Sequence, residues 1–245
     1  MEFLGFSIAE LNREALVALV DEALRKKRKM HLVTLNPEML ARQARDARFR
    51  AVLLRAEVLV PDGMGIVWGA KFLGKALPGR LPGIELAEAL LAEGQKSGWR
   101  FYLVGGKEGV AEQAAQRLRK RYPGLQVVGT HHGYFEEDAP VVEAINRANP
   151  QVLFLGMGSP RQELWIDQYR EVLSPLVFMG VGGSFDVWSG EKKRSPRFLQ
   201  RLGLEWLWRV LTEPGRLRRV VPAFWRFGIL LLRERMRCGW YNGKR

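Results

Sequence analysis

A strand–helix–strand pattern decides the fold, and it is clearest in residues 101–133, FYLVGGKEGVAEQAAQRLRKRYPGLQVVGTHHG. Apolar runs at 101–104 and 125–129 predict two strands, and the helical periodicity of 108–121 predicts a helix between them. A helix between two strands is typical of a crossover connection, which joins parallel strands. The stretch therefore predicts one unit of a parallel sheet.

The same alternation extends over most of the chain. Further strands are predicted at 31–35, 57–60, 151–155 and 176–179, and further helices at 11–24, from residue 37, and at 84–95, 140–148 and 161–170. Ser7 and Glu10 have the spacing of a capping box before the first helix. The near-continuous apolar runs fit strands that are buried on both faces. The predicted fold class is α/β, a mostly parallel Rossmann-like sheet with flanking helices.

The composition changes near Gly190, where we place a domain boundary. Residues 1–190 carry 24 Lys/Arg and 22 Asp/Glu, whereas residues 191–245 carry 15 Lys/Arg and 4 Asp/Glu. We expect an α/β domain over 1–190 and a basic appendage over 191–245, with helices near 196–211 and 220–237. Such a charge asymmetry favours an anionic partner, which could be phospholipid, polyphosphate or nucleic acid. A tail that is merely solvated is the alternative.

Aromatic residues accompany the basic residues of this appendage: Trp206, Trp208, Phe224, Trp225 and Trp240. Its apolar run at 220–232, interrupted by a proline and an arginine, is too short to span a bilayer and suits an amphipathic helix at a membrane interface. A helix packed on the core would also explain the run. Nucleic-acid binding is disfavoured, because a solvated nucleic-acid face needs fewer apolar residues.

Several bulk features limit the class of protein. Cys238 is the single cysteine, so no disulfide can form within the chain and a cytosolic protein is expected. The first residues lack the pattern of a signal peptide, and no apolar stretch of about 18 residues predicts a membrane span. Gly105, Gly106 and Gly109 only loosely match a dinucleotide fingerprint, which leaves an NAD-linked oxidoreductase as a weak alternative.

Polar residues and glycines cluster where the predicted strands end. Ligands of open α/β sheets bind at this edge, and glycines such as Gly105 and Gly156 let backbone amides approach a phosphate or ribose. Asp62, which follows a strand, is the candidate general base, although it could instead cap the next helix. His131 and His132 are adjacent, which is poor spacing for a shared metal. Arginines are therefore the candidates for neutralising phosphate, and no metal or cofactor is expected.

Six motifs in order resemble the WecG/TagA/CpsF family of glycosyltransferases. They are TLNPE at 34–38, PDGMG at 61–65, RLPGIEL at 80–86, GMGSPRQE at 156–163, GVGGSFD at 180–186, and RSP at 194–196 leading to LEWLWR at 204–209. The resemblance implies inverting, metal-independent transfer of N-acetylmannosamine or a related sugar. The implied donor is a UDP-sugar, and the implied acceptor is N-acetylglucosamine on undecaprenyl diphosphate. The products of such enzymes enter cell-surface polysaccharide or teichoic acid.

The resemblance also implies roles for particular residues. It makes Asp62 the base, and it places around the substrates Thr34, Asn36, Arg80 and Gln162 (acceptor and donor pocket), Gly133, Tyr134 and Asp186 (nucleoside), and Arg209, Arg216 and Arg219 (completion of the site by the tail). Pro82 and Glu85 depart from the family pattern. The resemblance implies a peripheral protein on the cytoplasmic face of the membrane, without a nucleic-acid partner. Whether the protein forms a homo-oligomer is left open. A basic nucleotide- or RNA-binding protein without transferase activity is the alternative.

Overall fold

A computed structural model describes the backbone of residues 1–242 and the side chains of residues 1–237. The side chains of Cys238 and Trp240, which entered the predictions of compartment and of tail aromatics, lie outside the described residues. Within the described part the predicted α/β class is confirmed, because helices flank a parallel sheet.

A small antiparallel hairpin opens the chain, and the parallel sheet follows it. The hairpin consists of β1 (Glu2–Phe3) and β2 (Phe6–Ser7). Across the described residues the parallel sheet has six strands: β3 (Met30–Leu35), β4 (Val58–Pro61), β5 (Arg100–Gly105), β6 (Gln126–His131), β7 (Val152–Gly156) and β8 (Val177–Gly180). Their spatial order is β4-β3-β8-β7-β5-β6. Because these strands are parallel, their carboxyl ends share one edge of the sheet, the carboxyl edge, and their amino ends share the opposite amino edge.

Helices connect the strands and continue beyond the last one. They are α1 (Arg13–Arg25), α2 (Pro37–Gln43), α3 (Ala47–Arg55), α4 (Met64–Phe72), α5 (Gly83–Ser97), α6 (Val110–Arg121), α7 (Asp138–Ala148), α8 (Arg161–Tyr169), α9 (Ser184–Trp188), α10 (Arg197–Arg201), α11 (Glu205–Thr212) and α12 (Leu217–Asn242). A 3-10 turn, Pro214–Arg216, separates the last two.

Apolar side chains on both faces of the sheet form the core. Successive strand residues point to opposite faces, so Leu32 packs with α1, α5, α6 and α9, whereas Val33 packs with α2, α3 and α4. A third cluster joins β5 and β7 to α7 and α8. Burial on both faces explains why the strands read as uninterrupted apolar runs in the sequence.

One prediction about the first half of the chain is wrong. The capping box is absent, because Ser7 is extended in β2; Asn12 caps α1 instead, its side-chain oxygen accepting from the N–H of Ala15 at 2.8 Å. The helix predicted from Pro37 is confirmed and ends at Gln43, and Asp46 caps a separate helix by accepting from the N–H of Phe49. Helix α4 was not predicted, because its glycines and apolar residues hide its helical period.

The basic tail is helical as predicted, but its first helix is divided. Gly203 adopts a left-handed conformation with φ of +72° and separates α10 from α11. Helix α12 presents Val220, Ala223 and Phe227 to the body of the protein, where Phe227 joins the apolar cluster of α2 and α4. The packed-helix alternative therefore holds for this face, whereas Trp225 on another face is 75% exposed.

Candidate active site

The loops at the carboxyl edge are tied to one another by backbone hydrogen bonds. The N–H of Asp62 donates to the carbonyl of Leu35 at 2.8 Å, which joins the ends of β4 and β3. On the other half of the edge, the N–H of Gly133 donates to Gly106 at 2.8 Å, and the N–H of Gly106 donates to Gly156 at 3.2 Å. Most of the predicted site residues therefore start from a rigid frame.

Asp62 lies partly buried at the end of β4 and faces the start of α5. Its carboxylate accepts a hydrogen bond from the backbone N–H of Gly83, the first residue of that helix. Burial raises the pKa of Asp62 to about 6, although the charge of Arg209 and the Gly83 hydrogen bond oppose the rise. Asp62 does not cap the helix that directly follows it, since Gly63 is the N-cap residue of α4 and no side chain caps that helix.

Thr34 and Asn36 flank this carboxylate on β3 and α2. A methyl group on Gly83 would lie 2.9 Å from the Thr34 hydroxyl oxygen, so Thr34 packs directly against the start of α5. The side-chain oxygen of Asn36 caps α2 by accepting from the N–H of Met39 at 3.0 Å. The Asn36 amide nitrogen is the part of this side chain that remains for a substrate.

Three tail arginines lie near one another, and one of them is near Asp62. Burial lowers the pKa of Arg216, and the positive charges of Arg209 and Arg219 lower it further. Arg209 lies near enough to Asp62 to favour the ionised carboxylate. Each arginine also has a carboxylate partner: Glu205 lies 4.0 Å from Arg209, Glu213 3.5 Å from Arg216, and Glu38 2.8 Å from Arg219.

Polar contacts hold the tail over the carboxyl edge. Arg80 donates to the carbonyl of Gln200 in α10. Arg194 bonds Glu85 of α5 at 2.7 Å and Glu205 of α11 at 3.4 Å. The departure of Glu85 from the family pattern therefore affects a body–tail contact.

A second contact joins the tail to the loop after β8. Lys192 pairs with Asp186 at 2.9 Å and with Glu213 at 3.0 Å. Asp186, predicted to lie near the nucleoside, thus has a cation of the chain beside it. The roles of Lys192, Glu205 and Glu213 were not predicted, because their partners are distant in the sequence.

Gln162 lies beneath the loops and is buried. Its side-chain oxygen accepts from the N–H of Gly158 at 3.1 Å and from the N–H of Gly182 at 3.2 Å, while its amide donates to Glu163 at 2.7 Å. The structure therefore places Gln162 where it holds the loops after β7 and β8 together. Glu163 is also buried, which raises its pKa.

The glycines of the second half of the edge fall into two groups. A methyl group on Gly156 would meet the ring of Phe185 at 2.5 Å, and one on Gly105 would meet it at 2.6 Å, so both permit close packing. Gly158 and Gly182 have positive φ and open space above them. Tyr134, after β6, is 69% exposed and can reach a ligand at this edge. The space above Gly158 and Gly182 leaves room at this edge, while their N–H groups donate to Gln162.

The described residues contain neither a cluster of metal-ligating side chains nor a helix that could span a membrane. Within residues 1–237, no group of three or more His, Cys, Asp or Glu side chains is arranged to hold a metal ion. None of the described helices has the length and apolar character needed to cross a bilayer.

The fold and the site define the class: an α/β enzyme with a partly buried carboxylate and a group of arginines at the carboxyl edge of its sheet. The family model described as glycosyl transferase WecG/TagA/CpsF matches residues 1–239, and the chain belongs to this family.

Curated relatives agree with this membership. The chain is similar to proteins named N-acetylglucosaminyldiphosphoundecaprenol N-acetyl-beta-D-mannosaminyltransferase from three bacteria. It is 36% identical to that of Bacillus spizizenii over 190 residues, which cover 78% of this chain and 74% of the relative. The values are 33% over 201 residues for Bacillus subtilis, covering 82% and 78%, and 35% over 198 residues for Staphylococcus aureus, covering 80% and 78%.

Proposed function

We propose that this glycosyltransferase moves N-acetylmannosamine, or a related sugar, from a UDP-sugar to N-acetylglucosamine linked to undecaprenyl diphosphate. The observation that carries the proposal is the proximity of Arg209, one of three neighbouring arginines, to the carboxylate of Asp62. The names of the relatives support the transferred sugar and the acceptor. The product would enter cell-surface polysaccharide or teichoic acid.

Asp62 acts as the general base in this proposal. The acceptor hydroxyl gives its proton to the Asp62 carboxylate while its oxygen bonds the anomeric carbon of the donor. The bond from that carbon to UDP breaks, and UDP leaves with the bonding electrons from the opposite face, so the anomeric centre is inverted. A pKa near 6 keeps the carboxylate mostly ionised at neutral pH yet basic enough to accept a proton.

Arg209, Arg216 and Arg219 stabilise the departing diphosphate in place of a metal ion. Guanidinium groups bind phosphate oxygens bidentately and keep their charge at any physiological pH. Positioned donors that face developing negative charge are typically among the largest contributions to catalysis. Because the three arginines belong to the tail, the tail completes the site.

The second half of the carboxyl edge holds the nucleoside of the donor. The loops that contain Gly158 and Gly182 leave space there, and Gln162 keeps these loops in register by accepting from both N–H groups. Tyr134 and Asp186 are placed to contact the base or ribose. We assign Gln162 a positioning role rather than direct contact with substrate.

The exposed face of α12 binds the membrane. Apolar side chains recur along this face at helical spacing: Leu217, Val221, Trp225, Leu232 and Met236. Arginines flank them, which suits an interface with anionic lipid. The enzyme would then lie peripherally on the cytoplasmic face, with the tail of the 191–245 segment serving both as anchor and as part of the site.

A transfer assay tests the proposal. The purified protein is incubated with a panel of UDP-sugars and a lipid-diphosphate N-acetylglucosamine acceptor, with and without EDTA. We expect a disaccharide product with UDP-N-acetylmannosamine or a close relative, and equal yield in EDTA. Salt-sensitive RNA binding without sugar transfer would favour the nucleic-acid alternative, and loss of product in EDTA would overturn metal independence alone.

A further inference from the structure

An apolar seam leads away from the candidate base along the outside of the molecule. It comprises Met64 and Trp68 of α4, Leu202 and Gly203 between α10 and α11, and Trp206 of α11. We propose that this seam binds the first isoprene units of the acceptor's polyprenyl chain. The inference rests on the proposed function, because it needs a lipid-linked acceptor whose sugar lies at Asp62.

The seam begins at the reacting position. Met64 follows Asp62 by two residues and starts α4. A methyl group on Gly203 would lie 3.2 Å from the sulfur of Met64, so the turn between α10 and α11 rests on the first turn of α4. An acceptor sugar at Asp62 therefore has the seam beside it.

The seam continues outward over exposed apolar side chains. Trp68 lies one helical turn after Met64 on the same face of α4 and is 53% exposed. Leu202, next to Gly203 in the turn, is 60% exposed, and the ring of Trp206 lies against that of Phe224 with ring centroids 5.4 Å apart. Single exposed apolar residues need no explanation, but several from different elements beside a site indicate a ligand.

The seam suits hydrocarbon rather than phosphate. Its exposed Trp68 and Trp206 fit a hydrocarbon chain, whereas Arg209 and Arg216 are assigned to the diphosphate of the donor. The exposed face of α12 offers Val221 and Trp225 to the bilayer separately. The seam is thus placed between the catalytic carboxylate and the anchoring helix, where the lipid of the acceptor must pass.

Acceptors of different chain length test the seam. N-acetylglucosamine diphosphates carrying a long polyprenyl, a two-isoprene or a methyl group are compared in detergent micelles, so that no bilayer is present. For Trp68→Ala and Leu202→Ser we expect the ratio of kcat/KM for the long-chain over the methyl acceptor to fall about tenfold, through a higher KM for the long-chain acceptor. Leu54→Ser, which removes an equally exposed leucine from α3, should keep the wild-type ratio.

A binding measurement separates this inference from the proposed function. A polyprenyl diphosphate with a photoreactive group in its first isoprenes should crosslink to α4 or to residues 202–206, whether or not sugar is transferred. Crosslinks confined to α12, or an unchanged chain-length ratio in both seam variants, would overturn the seam while leaving the transferase intact. A Trp68→Ala effect seen only in vesicle binding or in oligomeric state would assign the surface to the bilayer or to a second copy instead.

Discussion

The two edges of the sheet treat charge in opposite ways. At the amino edge, Arg170 bonds both oxygens of Glu57 at 2.7 and 3.2 Å, and Arg55 bonds Asp167 at 2.6 and 2.9 Å. At the carboxyl edge, three neighbouring arginines have carboxylate partners at 4.0, 3.5 and 2.8 Å, none of them shown to be bidentate, and burial raises the pKa of Asp62. Tight bidentate pairs stabilise a fold, whereas a group of neighbouring arginines beside a carboxylate of raised pKa is typical of a functional site.

The largest expected difference between the edges concerns arginine. Arg216→Met should lower kcat/KM for sugar transfer by about 10²–10³-fold, because it removes a donor to the departing diphosphate. It should change the free energy of unfolding little, because the loss of the pair with Glu213 at 3.5 Å is offset by relief of the repulsion from Arg209 and Arg219.

Arg170→Met is the matched variant at the amino edge. It leaves Glu57 without its partner and should cost about 1–3 kcal/mol of stability while the transfer rate is kept. Kinetics and denaturant unfolding on both variants check this reciprocal pattern. The contrast between the edges fails if Arg216→Met is active and unstable, or if Arg170→Met is stable and inactive.

The amino edge also contains a buried histidine that should control stability at low pH. Burial, followed by the charge of Arg170, lowers the pKa of His31 from 6.5 to about 4. Below pH 6.5 His31 is protonated in the unfolded chain but stays neutral in the folded chain. The free energy of unfolding therefore falls as the pH drops towards 4. The loss should reach about 3 kcal/mol.

His31→Leu isolates this contribution, because the other titrating groups remain in the variant. The difference in unfolding free energy between wild type and His31→Leu is measured from pH 7 to pH 4. Between pH 7 and pH 4 we expect the wild type to lose about 3 kcal/mol of unfolding free energy relative to His31→Leu. A constant difference across this range would show that His31 is not held neutral.

A smaller effect is expected where α5 meets Thr34. Gly83→Ala places a methyl group 2.9 Å from the Thr34 oxygen and so displaces the helix start that supports Asp62. We expect kcat to fall about tenfold and the free energy of unfolding to fall by about 1 kcal/mol. Gly228→Ala, in α12, meets nothing within 4 Å and serves as the control. Full activity of Gly83→Ala would show that the helix start does not position the base.

The sheet and the carboxyl edge could be predicted because buried parallel strands are apolar along their whole length. The tail arginines could be predicted from the resemblance and from their own spacing. Helix α4 could not, since it lacks a polar face, and neither could the Lys192–Glu213 pair, which depends on how the tail folds back. Gln162 was expected to line the pocket, but burial places it below two loops that only the fold brings together.

The most direct test of the account is Asp62→Asn, followed in both activity and stability. Wild-type kcat/KM should rise with pH up to about 6 and then level off, because the carboxylate must be ionised. The variant should lose about 10²–10⁴-fold in turnover, keep its UDP binding, and gain about 1–3 kcal/mol in unfolding free energy at pH 7, since a buried charge is removed. Near-wild-type turnover, or the same rise with pH in the variant, would contradict Asp62 as the base.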